Sequence, residues 1–346
     1  MAAPSLSRHF LRVAAGWISG RPRLTQCIIH LTFRCNLSCA YCGYPKLRLK
    51  ELTTAEWLDI IDGLAGLGCR RVSLSGGEPL LRPDLPMLIG RVRDRGMTCL
   101  VASNGLLVPE RIDDLARVNM LVLSLDALGE ANDLVRGTGA AESVLRAFRA
   151  ARRRGLPVKL NAVMTSDSLE GLSGLLEFVR REKAALTVNP VRSGNPEQWG
   201  RGAELKPPDA DIRKVLLRLA AESRRNRRLL YSNRTYLQAA SWPDYSQDFL
   251  EKGDGRLTLG RRPGPKCQAG KFYFHIRPDG KSVPCSIRMT HGPFGDAAGE
   301  GVEAAWRKLH RHPCVDCYTP CKLEMNYLYS GRPSVLLNFA VRNLFS

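Results

Sequence analysis

The feature that most constrains this chain is a repeat that begins at Thr25. Strand-like runs at Cys27–Leu31, Arg71–Leu74, Met97–Ala102, Met120–Leu125, Val158–Val163 and Leu186–Asn189 alternate with helical patterns near 54–67, 83–95, 109–117, 140–154 and 170–182. Thr53-Thr54-Ala55-Glu56 places a hydroxyl and a Glu three residues apart, as a capping box requires. Six strands joined through helices predict right-handed βα units around a parallel sheet, an α/β fold. A further helix over 209–228, with Ile212, Val215, Leu216 and Leu219 at helical spacing, is expected to close that domain. Residues 240–265, rich in Gly and Pro, read as linker or surface loop. The expected division is therefore 1–23, 24–230, a linker over 231–265, a cysteine-rich unit over 266–330 and a tail over 331–346.

In parallel α/β sheets and barrels, ligands bind at the carboxyl ends of the strands. The chemistry-bearing residues fall there. Cys35, Cys39 and Cys42 follow the first strand at the spacing CxxxCxxC, Ser75-Gly76-Gly77-Glu78-Pro79 follows the second, and Ser103-Asn104-Gly105 the third. Ser124-Leu125-Asp126 ends the fourth strand and Asn161 lies late in the fifth. Three thiolates suit a cubane cluster that keeps one iron open to a ligand, whereas a structural zinc site is normally closed by four protein ligands. Eleven Cys, an odd number, argue for metal or redox chemistry in a reducing compartment, and no apolar run approaches the roughly 20 residues that span a bilayer. The formal charge of +19 invites an anionic membrane or nucleic acid as partner. Arg152-Arg153-Arg154 and the Arg224–Arg228 group lie at helix ends, however, where cations offset the dipole and face solvent.

These residues, over roughly 24–230, resemble the radical S-adenosylmethionine (radical SAM) superfamily. The resemblance implies a partial (βα)6 TIM-type barrel in which Cys35, Cys39 and Cys42 bind a [4Fe–4S] cluster whose open iron chelates S-adenosylmethionine. It places Tyr41 beside adenine and Gly76-Gly77-Glu78-Pro79 at the methionine amino group. Ser103, Asn104, Ser124, Asp126, Arg136 and Asn161 match further cofactor positions, with Arg136 facing the methionine carboxylate. Cys267 and Cys285, with Gly280 between them, resemble the first half of the SPASM and Twitch modules, which hold auxiliary [4Fe–4S] clusters. Phe272–Ile276 reads as a strand and Arg277–Gly280 as the turn that returns Cys285 beside Cys267. Cys314 and Cys317 bring the thiols to four, which fits one auxiliary cluster in a small α+β module. Cys321 is either a ligand in place of a neighbour or a free thiol, and a zinc ribbon is the competing reading. Cys27, Cys69 and Cys99 read as core residues.

Membership implies reductive cleavage of S-adenosylmethionine to a 5′-deoxyadenosyl radical, fed by an electron donor such as flavodoxin or ferredoxin. Cys321 is also a candidate hydrogen donor to a substrate radical. The substrate classes are a peptide or protein, a small sugar alcohol, or a lipid. The last comes from the termini: Leu6, Phe10, Val13, Ala14 and Trp17 form one helical stripe, Val335–Phe345 forms another apolar run, and the first layout loosely resembles radical SAM enzymes of hopanoid synthesis. A cytoplasmic protein with peripheral contact at the inner membrane face follows from that reading; packing of both termini on the barrel is the alternative. A zinc-stabilised nucleic-acid-binding protein is the hypothesis of another class, disfavoured because the barrel mouth lacks basic stretches interleaved with aromatics.

Overall fold

The structure is a computed structural model that describes residues 22–251, 264–292 and 294–330, with Gly16, Ser19 and Val335 besides. The expected amphipathic segments over 1–23 and 331–346 lie almost wholly outside the described residues. The six repeat strands are β1 (Gln26–Thr32), β2 (Arg71–Gly76), β3 (Thr98–Ser103), β4 (Met120–Ser124), β5 (Val158–Met164) and β6 (Ala185–Pro190), each hydrogen-bonded in parallel to the next. The helices α1 (Thr54–Gly66), α2 (Leu85–Asp94), α3 (Glu130–Arg136), α4 (Ala140–Arg153) and α5 (Leu172–Arg181) connect them. The capping box at Thr53 and Glu56 is formed in both directions. The helix expected at 109–117 is only a short 3-10 turn, Ile112–Leu115, followed closely by β4.

Strand periodicity explains the layering. Ile29, Val72, Leu74, Val101, Leu121, Leu123, Leu160 and Val188 are fully or almost fully buried against helix residues such as Ile61, Leu88, Val144 and Val179. The alternate positions, including His30, Ser73, Ser75, Asn161 and Thr187, form the concave inner face of the sheet.

The last third is bonded to the barrel rather than appended to it. β8 (Tyr273–Ile276) pairs in parallel with β1, opposing Gln26 to Tyr273 and Ile29 to Ile276. β9 (Lys281–Val283) and β10 (Gly295–Asp296) continue the sheet antiparallel, giving the order β10-β9-β8-β1-β2-β3-β4-β5-β6. Gly280, at φ +78°, makes the β8–β9 turn that the sequence led one to expect. A two-stranded sheet joins β7 (Phe249–Glu251) to β11 (Cys314–Cys317).

The helices that follow β6 are α6 (Pro196–Trp199), α7 (Asp209–Arg225) and α8 (Asn233–Ala240); the last third adds α9 (Val302–Lys308) and α10 (Pro320–Tyr329). The span expected to be linker is therefore partly structural. It holds α8, β7 and the fully buried Trp242 and Tyr245, whose aromatic surfaces pack on Tyr318 at centroid distances of 5.7 and 5.1 Å. Polar neighbours conceal these two anchors in the sequence. Buried Glu324 on α10 ties α8 down by accepting from Ser232 N (2.9 Å), Ser232 Oγ (2.7 Å) and Thr235 Oγ1 (2.5 Å).

Candidate active site

The loop after β1 carries the Cys triad and is held on three sides. From β2, Gly77 N donates to Thr32 O at 2.7 Å and Glu78 N to Arg34 O at 2.9 Å. A Cβ on Gly76 would lie 2.1 Å from Thr32 O, and one on Gly77 would lie 2.1 Å from Arg34 O, so only glycine permits this approach. From α3, Val135 O accepts from Ala40 N at 2.8 Å. From α6, Gln198 O accepts from Gly43 N at 3.0 Å and Arg201 N donates to Ala40 O at 2.8 Å, while Gly200, at φ +51°, brings the backbone close to Ala40 O. The α6 segment was not singled out from sequence. Asn195 caps it at Glu197 N, a signal that marks a helix start but not what the helix grips.

Glu78 does not present a free carboxylate. It is fully buried and accepts from Leu80 N (3.0 Å), Asn104 N (2.8 Å) and Ser103 Oγ (3.1 Å). Burial raises its pKa to about 7, against the pull of those donors. Three donors from the β2 and β3 loops thus hold this carboxylate in place. Asn104 reaches the triad, donating to Asn36 Oδ1 at 2.7 Å and approaching Cys35 Sγ at 3.6 Å.

Asp126 and Arg136 form a buried, two-point ion pair at 2.7 and 2.9 Å. Asp126 also accepts from Tyr41 Oη at 2.8 Å and Val163 N at 2.8 Å, and the Arg136 guanidinium stands 5.6 Å from the Tyr41 ring centre. The pair fixes Tyr41 between Cys39 and Cys42, and the Arg136 charge also reaches the thiols of Cys39 and Cys42. Ser124 ends β4 in register with Asn161. Asn161 Oδ1 accepts from Thr187 Oγ1 at 3.0 Å and Asn189 Nδ2 at 3.3 Å, forming a polar patch on the inner face.

The three triad thiols are mutual electrostatic neighbours. Burial raises the pKa of all three, Cys42 to about 12, against N–H donors from Leu37, Asn36 and Asn104 at Cys35 and Tyr44 at Cys42, and against the Arg136 charge at Cys39 and Cys42. Buried thiols with N–H groups turned toward sulfur form a donor set that suits an iron–sulfur cluster, whose thiolates the iron deprotonates.

The second group behaves as a quartet. Cys314 feels the charge of Cys267, Cys285 and Cys317, Cys317 that of Cys267 and Cys285, and Cys285 that of Cys267. Cys267 and Cys314 share a hydrogen bond, which with His312 and Ala269 N pulls the Cys267 thiol down. Cys321 acts on Tyr273 together with Cys267, Cys285 and Cys317, and on Arg192 together with Cys317. It opens α10, where its N–H donates to Asn189 Oδ1 at 3.1 Å, and its thiol acts electrostatically on Lys159 and Tyr231. Lys159, on the inner face of β5, has its pKa lowered to about 8 by burial and by Arg71. Neither the lysine nor its proximity to Cys321 was read from the sequence, because one Lys in an apolar strand carries no partner information. Among the described residues no helix is long and apolar enough to cross a membrane.

Comparison with known proteins agrees with this geometry. Residues 29–179 match the Radical SAM superfamily. The chain is 32% identical over 315 residues to the PqqA peptide cyclase of Streptomyces rochei, covering 84% of this chain and 80% of that protein. In fold it is similar to Streptococcus suis SuiB bound to the precursor peptide SuiA, with a TM-score of 0.62, 19% identity and coverage of 86% of this chain and 67% of that one. It is similar likewise to native anSMEcpe with bound AdoMet and the Kp18Cys peptide, with a TM-score of 0.64, 16% identity and coverage of 93% and 100%. The chain belongs to the radical SAM superfamily and is an S-adenosylmethionine-dependent iron–sulfur enzyme with an auxiliary cysteine-rich module.

Proposed function

We propose that this enzyme performs a radical modification of a peptide or protein. One observation carries the reading: the likeness to the PqqA peptide cyclase, an enzyme named for its peptide substrate, extends over 84% of the chain, too far to be the barrel alone. A [4Fe–4S] cluster, when bound, would supply the electron for reductive cleavage of S-adenosylmethionine and with it the means to take hydrogen from an unactivated C–H bond. Cys35, Cys39 and Cys42 hold that cluster. Gly76 and Gly77 let the β2 loop close on it, Ser103 and Asn104 bridge Glu78 to the triad, and Tyr41 is fixed by Asp126 and Arg136. Ser124 and Asn161 line the inner face below, where cosubstrate and substrate meet.

Cys267, Cys285, Cys314 and Cys317 hold the auxiliary cluster, supported by the charge that Cys267 and Cys285 exert on both Cys314 and Cys317. Cys321 is then a free thiol on the barrel side, suited to return a hydrogen atom to a substrate radical. An oxidation or cross-link would leave that thiol unused, and an epimerisation would need it. The electron donor is of the flavodoxin or ferredoxin kind.

The test is anaerobic reconstitution, which should give about eight irons per chain, the sum of two cubanes, and 5′-deoxyadenosine after reduction with dithionite. Coexpression with short peptides encoded beside the gene should yield a peptide that has lost two hydrogens or, in D2O, gained one deuterium. Turnover of S-adenosylmethionine with every such peptide unchanged would refute the substrate class while leaving the enzyme class intact.

A further inference from the structure

Below the triad loop the barrel contains a row of basic groups that the proposed chemistry does not use. His30 on β1, His275 on β8 and Lys322 on α10 are 5%, 3% and 5% exposed. Lys322 Nζ lies 3.1 Å from His275 Nε2, and His275 Nδ1 lies 3.0 Å from His30 Nε2. The two rings stack at a centroid distance of 5.3 Å, and the edges of Phe33 and Tyr44 enclose His30. His30 Nδ1 is buried and has no hydrogen-bond partner.

The chemistry of the three groups gives this row a direction. An ammonium has donors and no acceptor, so Lys322 must donate and His275 Nε2 must accept. A neutral imidazole has one donor and one acceptor, which places the remaining proton of His275 on Nδ1 and makes His30 Nε2 an acceptor. The proton of His30 is therefore on Nδ1, the atom without a partner. Burial and the Lys322 charge depress the pKa of both rings, that of His30 to about 3, so neither ring escapes the constraint by taking a second proton. Polarisation accumulates along such a chain, and the terminal N–H is a stronger donor than that of an isolated imidazole.

A buried donor without an acceptor calls for an explanation, and one at the end of a polarised chain inside the barrel is accounted for by a bound acceptor. We infer that His30 Nδ1–H is a donor kept for an acceptor oxygen, carboxylate or amide carbonyl, of a molecule bound in the barrel, with its tautomer set by Lys322 through His275. His30 is in register with Ser75, one residue before the Gly76-Gly77 loop, so its backbone lies on the strands that carry the triad and glycine loops. Lys322 and His275 are positioning residues. The inference does not depend on a peptide being the substrate, because it concerns only the donor and the class of its acceptor.

The test is isotope-edited infrared spectroscopy of the oxidised, cluster-loaded enzyme with ring-labelled histidine, His30 bands being assigned by difference from His30→Gln. The chain has six histidines, few enough for that assignment. Wild type should show His30 as the neutral Nδ1–H form. Lys322→Met should lose that single form and give a mixture of tautomers, and Lys322→Arg, still a donor-only cation, should retain it. S-adenosylmethionine, acetate and N-methylacetamide are then added separately. A shift of the His30 bands with S-adenosylmethionine identifies the cosubstrate carboxylate, a shift with acetate alone a substrate carboxylate, and one with N-methylacetamide a substrate carbonyl. An Nε2–H form in the wild type, bands unchanged in Lys322→Met, or no response to any of the three probes overturns the proposal.

Discussion

Glu78 is a carboxylate removed from water and given three donors, and the two effects oppose each other. Desolvation wins, lifting its pKa from an ordinary 4.5 to about 7. The folded state therefore holds a proton between pH 4.5 and 7 that the unfolded chain releases, so stability declines as pH rises through that window and is level above it. With one unit worth about 1.4 kcal/mol, the loss is about 3 kcal/mol at most. Glu78→Gln, which cannot ionise, should flatten this decline, read as unfolding midpoints of the two proteins between pH 5 and 8. Parallel slopes would mean that Glu78 titrates as an ordinary carboxylate. Asp126 presents the opposite case, a buried charge that is fully paired. Removing one partner strands the other, so Asp126→Ala should cost about 3–5 kcal/mol in denaturant unfolding, while Asp126→Leu with Arg136→Met should cost much less. A double variant as unstable as the single one would show that the pair does more than neutralise itself.

At the scale of elements, two glycines decide how the β2 loop meets the triad loop. In Gly77→Ala the new methyl would meet a carbonyl of Arg34, a backbone atom that cannot rotate away. The triad loop must shift, at roughly 1–3 kcal/mol or more, and iron at the first cluster should fall while the auxiliary site stays loaded, as seen in metal content with Cys317→Ala as the converse control. Cys321→Ala should retain both clusters. An iron content falling by about four, one cubane, would make Cys321 a ligand after all. Much of this level was legible in the sequence: the six strands lie within a residue or two of their expected bounds, because alternation of Val, Leu and Ile with polar residues encodes a strand locally. His30, Lys159 and Asn36 were not legible. Each is a lone polar residue whose meaning depends on a partner far along the chain, as His275 is for His30 and Asn104 for Asn36. The local partners of Glu78 and Arg136 were hidden for a related reason, since a motif identifies a residue without revealing which neighbours hold it in place.

For the molecule as a whole, the decisive fact is that β8 lies against β1. No local pattern announces a parallel pairing between strands about 247 residues apart, the separation also spanned by the bond from Thr25 Oγ1 to Phe272 O. The cysteine-rich third therefore appeared in the sequence as a separate unit, whereas it completes the barrel's sheet and caps the edge of β1. That edge carries the triad loop at its carboxyl end. Buried Arg192 binds the two parts further: it donates to Thr319, lies over Trp199 at 5.3 Å, and its charge reaches Cys317. A cation held there favours added negative charge at the auxiliary site, so Arg192→Met should lower the reduction potential of that cluster, measured by redox titration, with the first cluster unaffected. Without the last third, β1 would become an open edge with unpaired N–H and C=O groups, and Tyr318, Glu324 and Lys322 would leave their buried partners exposed. A fragment ending at residue 251 should accordingly aggregate or melt without a cooperative transition in circular dichroism, although it contains all six βα units. A fragment melting within a few degrees of the full chain would mean that the barrel closes by itself and that β8 is only docked against it.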